Sequence, residues 1–168
     1  MENESLVTKE RFIRCERRIL NSQNVFYKVL WFLFALFWVG AIILFAMLLE
    51  NPAIEISLCG FVVAYCIYKI ALDSLVRAHF RYFVWSRRAG CAPWTRKMRL
   101  EDENIAVFDG KYASTYKYSQ IKEITQFDGE IAFILYDKQA IIISSYGFIG
   151  CTLEEFLAKI IVKKESGY

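Results

Sequence analysis

Polar and apolar positions change rhythm twice along this chain, and each rhythm predicts a different kind of element. Positions 29–49 contain no charged residue. As a helix rising about 1.5 Å per residue they would cover about 31 Å, the thickness of a bilayer's hydrocarbon core. After Glu50, Asn51 and Pro52, the run 56–76 is again long enough to cross, with only Lys69 and Asp73 charged, both in its second half. The pattern predicts a membrane helical hairpin: a first transmembrane helix over 25–49, a short outer turn over 50–55 and a second transmembrane helix over 56–76.

The flanks read differently. Residues 1–24 predict a juxtamembrane helix, because Thr8 can cap it and Phe12, Ile13, Cys15, Ile19 and Leu20 give it a partial apolar face. Residues 77–96 form a basic, aromatic segment without Asp or Glu, the composition that suits a membrane surface. Its candidate membrane contacts are Arg77, Arg81, Arg87, Arg88, Trp85 and Trp94, with Gly90 to Pro93 as a break. From 97 to 168 short apolar runs alternate with turn signals, among them Asp109-Gly110 and Asp128-Gly129, which predicts an antiparallel sheet of six or seven strands. The chain then closes with a helix. Thr152 and Glu155 form a capping box ahead of Leu153, Phe156, Leu157, Ile160 and Ile161 on one face. The predicted fold class is a membrane α-helical hairpin plus an α+β domain, a pleckstrin-homology-like sheet or half-barrel with a C-terminal helix.

Charge orients this plan. Lys9, Arg11, Arg14, Arg17, Arg18 and Lys28 precede or open the first apolar run, the turn 50–55 has no Lys or Arg, and seven more basic residues follow by position 99. The positive-inside rule then places both termini in the cytoplasm of a multi-pass inner-membrane protein. Beyond residue 100, seven lysines face eleven Asp and Glu, so anionic headgroups would meet the basic flanks and not the sheet. A mean hydropathy of +0.28, with 56% hydrophobic residues, fits a chain partly dissolved in lipid.

Candidate chemistry is sparse. Lys69 and Asp73 stand four apart and can pair as an intramembrane ion pair near the inner interface. His79 is the sole histidine, in a stretch with no acid beside it, and the five cysteines include no C-x-x-C pair. Acids at strand ends and turns (Glu101, Asp102, Asp109, Asp128, Glu130, Asp137) read as solvated carboxylates. The glycine loop at 146–150 lacks a following phosphate-binding lysine. These readings predict no catalytic residues, no metal and no cofactor, and adjacency to the spans argues against nucleic acid as the partner of the basic aromatic segment.

The paired apolar runs, the stretch Tyr118-Ser119-Gln120-Ile121-Lys122-Glu123-Ile124, the apolar strand 140–144 and the helix 152–164 together resemble the YcxB-like bacterial membrane proteins. Tyr118 stands where many members carry tryptophan. The resemblance implies a membrane-anchored cytoplasmic pleckstrin-homology-like domain and carries over no activity. The expected function is therefore a non-catalytic interaction or scaffold module, with membrane lipids at its basic flanks and an unknown protein, or a second copy of itself, as partner. The candidate partner loop is Tyr146, Phe148 and Ile149, provided that Phe148 and Ile149 stay outside the domain's core. Two other readings are an immunity protein that neutralises a membrane-acting toxin and, more weakly, a channel or transporter subunit using Lys69 and Asp73.

Overall fold

The computed structural model describes residues 1–137 and 139–166. The chain divides into two compact units: Met1–Glu16 together with the chain from Arg81 onward, and Arg17–Phe80. The element order is β1 (Glu2–Val7), α1 (Lys9–Gln23), α2 (Val25–Leu48), α3 (Ala53–Ala71), α4 (Asp73–Ala89), β2 (Trp94–Leu100), β3 (Asn104–Asp109), β4 (Tyr112–Lys117), β5 (Ile121–Phe127), β6 (Glu130–Leu135), β7 (Ala140–Ser144), β8 (Phe148–Ile149) and α5 (Leu153–Glu165). A 3-10 turn, Tyr118–Gln120, joins β4 to β5.

The unit 17–80 holds α2 and α3, an apolar helical hairpin. Trp31 of α2 meets Tyr65 of α3 edge to face at 5.6 Å, and Cys59 and Cys66 are buried. Much of its remaining surface is apolar and uncovered, with Phe26, Phe37, Met47, Ile54 and Phe61 mostly exposed. Both helices are long and apolar enough to cross a membrane. An apolar surface of this extent is unstable in water and stable in lipid. The second helix ends at Ala71, not at 76, and a new helix starts at Asp73. Asp73 at the start of α4 favourably meets the positive end of that helix's dipole.

The other unit is an α+β domain of two antiparallel sheets. One has the order β4-β3-β2-β1-β8 and the other β5-β6-β7. Here the N-terminal expectation is corrected. Residues 2–7 are not part of a helix but a strand, pairing antiparallel with β2 from Glu2↔Arg99 to Val7↔Trp94 and with β8 at its start. Thr8 then caps α1, its Oγ1 accepting from the Arg11 N–H at 3.3 Å. The α+β domain is thus discontinuous in sequence, interrupted by residues 17–80.

The sheets close over one core. Met98, Ile105, Val107, Tyr118, Ile121, Ile131, Phe133, Ile143, Phe156 and Ile160 are fully or almost fully buried in it. β6 is buried along its whole length, as befits the central strand of its sheet. α5 lays Phe156 and Ile160, four apart, onto this core. Its N-terminus is capped as its sequence requires, the Glu155 N–H donating to Thr152 Oγ1 and the Thr152 N–H to the Glu155 carboxylate. A second, smaller cluster joins Val7, Phe12, Ala89 and Trp94, with Tyr82 and Trp85 against it.

Side chains close part of the seam between the sheets. Asn3 Nδ2 donates to Ser144 O at 2.8 Å and Arg96 Nη1 to Ile142 O at 3.1 Å, which satisfies alternate carbonyls of the edge strand β7. Asp128 and Gly129 both have positive φ, 49° and 74°, the geometry of a tight hairpin turn between β5 and β6. Gly147 is required by proximity: a Cβ there would lie 2.1 Å from Glu4 O, while the Glu4 N–H donates to Gly147 O.

Candidate functional site

The 3.6-residue period of α4 places Arg81, Trp85 and Arg88 along one side of the helix. With Glu16 of α1 and Gln139 and Ala140 at the start of β7, they line a polar cleft of about 160 Å³. A small recess, lined in part by Arg96, Asp109 and Tyr116, shares Trp85, Gln139 and Ala140 with it.

The floor of this region is a buried ion pair. Arg96 Nε and Nη2 donate to Asp109 Oδ1 and Oδ2 at 2.7 and 2.9 Å, and Trp94 Nε1 adds a third bond to Oδ1 at 2.8 Å. Two expectations are overturned here. Trp94 is 1% exposed, so it cannot touch a membrane surface; its indole packs beside Phe12 and Tyr82 and its N–H needs the Asp109 carboxylate. Asp109 is 0% exposed, not a solvated turn carboxylate. Glu130 is likewise buried and paired with Arg11 of α1, Nε to Oε1 at 2.6 Å.

At the cleft wall, Glu16 is buried and accepts from Arg81 Nη1 at 2.8 Å. Desolvation raises its carboxyl above the usual range, and the Arg81 guanidinium offsets part of that rise. Burial also pushes the neighbouring Cys15 thiol up to about 11, which leaves it unreactive at neutral pH. Arg88 is exposed, its guanidinium 5.4 Å from the Trp85 ring centroid and 5.7 Å from that of Tyr112. It has no carboxylate partner among the described residues.

The other candidates fall elsewhere. Arg87 is exposed beside the Phe83 ring at 4.2 Å. Lys69 and Asp73 do pair, Nζ to Oδ1 at 3.3 Å, and Arg77 also pairs with Asp73. His79 is exposed, with Nδ1 2.9 Å from Leu75 O. In the candidate partner loop Tyr146 and Ile149 are 87% and 52% exposed, whereas Phe148 turns into the core against Phe156 at 5.0 Å. Phe148 therefore leaves the candidate surface. Among the described residues no three of His, Cys, Asp and Glu converge as metal ligands would.

Arg96, Asp109, Glu16 and Gln139 were not singled out by sequence reasoning as site residues. One signal was available: Trp94, Arg96, Met98 and Leu100 share the inward row of one strand, and an arginine in such a row requires a buried partner. No family model matches this chain, nor does any curated protein or solved structure with which it was compared.

Proposed function

We propose that the chain is a two-span membrane protein that presents a non-catalytic, pleckstrin-homology-like interaction module on the cytoplasmic side, in the manner of the YcxB-like proteins it resembles. The observation that carries this reading is the register of β1 on β2. The strand before the apolar hairpin pairs with the strand after it, from Glu2↔Arg99 to Val7↔Trp94, so both must lie on the same side of any membrane. Two crossings satisfy that condition and one does not. The Lys and Arg bias supports the cytoplasm as that side. Tyr146 and Ile149, exposed at one end of the five-stranded sheet, supply the apolar contact surface for a protein partner.

Two measurements test this. In a variant keeping Cys91 alone, which is exposed, a membrane-impermeant maleimide should label only permeabilised cells, whereas a cysteine placed by Asn51→Cys should label in intact ones. The reverse pattern, or equal labelling, refutes the topology. Crosslinking and recovery from membranes should then give a protein that the Tyr146→Ala, Ile149→Ser variant loses; unchanged recovery removes that surface from the proposal.

A further inference from the structure

The cleft beside α4 has a composition that its role as packing does not explain. Glu16 directs its charge to Arg81 at 2.8 Å, and Asp109 directs its own to Arg96, so neither carboxylate is paired with Arg88. Arg88 lies at the mouth of a polar cavity and is held there by the Trp85 and Tyr112 rings. Ring contact limits the guanidinium's freedom and leaves its N–H donors in plane and unspent. Gln139 adds an amide to the same lining. A volume of 160 Å³ equals about five waters at roughly 30 Å³ each, enough for one tetrahedral oxyanion and its bridging waters.

We infer that this cleft binds a phosphate-type oxyanion, carried either on a small soluble molecule or on a lipid headgroup, with Arg88 as the principal ligand and Arg81 and Gln139 as secondary donors. Glu16 faces the same space and repels the anion, so its pairing with Arg81 is what makes the site usable. Arg88 can donate a bidentate pair of charge-assisted hydrogen bonds to the oxyanion's oxygens. The inference does not depend on the apolar helices crossing a bilayer. It also separates Arg88 from Arg87, which has the same charge and is exposed but does not line the cleft.

The test uses the full chain in neutral phosphatidylcholine nanodiscs, with inorganic phosphate as the probe and broadening of its phosphorus resonance as the readout. Saturable binding should weaken about tenfold or more in Arg88→Gln and by less than about threefold in Arg87→Gln, since one charge-assisted pair is at stake in the first and only screened charge in the second. The same titration in nanodiscs containing phosphatidylglycerol identifies the source. Loss of free-phosphate binding there, reversed when the discs are neutral again, assigns the site to a headgroup; unchanged binding assigns it to a soluble anion. Equal weakening in the two variants, or no saturable binding in the wild-type chain in neutral discs, overturns the proposal.

Discussion

Replacing Asp109 with alanine removes three hydrogen bonds and the ion-pair partner of a guanidinium that is 3% exposed. Among the described residues the Arg96 side chain then keeps one hydrogen bond, to Ile142 O, and the Trp94 N–H keeps no acceptor. Leaving one member of a buried ion pair unpaired costs about 3–5 kcal/mol, and the orphaned indole adds to the upper end of that range. Whole domains are stable by about 5–15 kcal/mol, so a single atom group controls a large share of this fold. At roughly 4–8 °C per kcal/mol for a domain of this size, Asp109→Ala should melt at least about 12 °C below the wild type. Near-ultraviolet circular dichroism, which sees the Trp94 environment, follows the transition on the full chain in detergent. The paired replacement Arg96→Met, Asp109→Leu should recover most of the loss, because an apolar pair leaves no charge buried. A cost for Asp109→Ala below about 1 kcal/mol, the value of an exposed pair such as Lys97 with Glu4, would refute the reasoning.

Three further outcomes follow from the same geometry. A fragment covering 97–168 lacks β1 and should remain unfolded by circular dichroism and amide dispersion, whereas residues 1–16 joined by a short flexible linker to 81–168 should fold, since Glu16 and Arg81 are already in contact; a folded 97–168 fragment would contradict the central place of β1. Glu16 titrates higher in the folded than in the unfolded chain, so between its unfolded value near 4.5 and its raised folded value the native state holds more protons and stability falls as pH rises. Glu16→Gln should abolish that slope in melting temperature against pH, and an unchanged slope would assign it to another group. Thr152→Ala removes the α5 cap and should cost about 1 kcal/mol in a denaturant titration; no change would mean that solvent replaces the cap fully.

How legible these features were depends on whether burial and polarity agree. α2 extends over Val25–Leu48 and α5 over Leu153–Glu165, close to their predicted bounds, because lipid-type apolarity and a capping box are both local signals. β1 was not legible. Its inward row is Asn3, Ser5 and Val7, of which two are polar, so no apolar alternation marks it. Asn3 is 0% exposed because its amide serves a carbonyl of β7, a partner 141 positions away that no window of sequence contains. Trp94 and Asp109 were misread for a related reason: an aromatic after a basic run resembles an interfacial anchor, and an aspartate before glycine resembles a turn, until the pairing of β2 with β3 brings them within 2.8 Å. In the cleft, Arg81, Trp85 and Arg88 were read as membrane contacts of the basic aromatic segment, and Glu16 and Gln139 come from distant segments.

The pairing of β1 with β2 also imposes a schedule on synthesis. The first strand is made before the helical hairpin and its partner is about 90 residues behind it, which at 5–20 residues per second is a wait of roughly 5–20 s. Throughout that interval two strongly apolar helices are being delivered, and an unpaired valine-rich strand beside them would invite wrong pairings. Asn3 and Ser5 make the waiting strand water-compatible, and Glu2 and Glu4 give it like charges that discourage self-association. The polarity that hides this strand from a sequence reader is what keeps it available until the sheet can accept it.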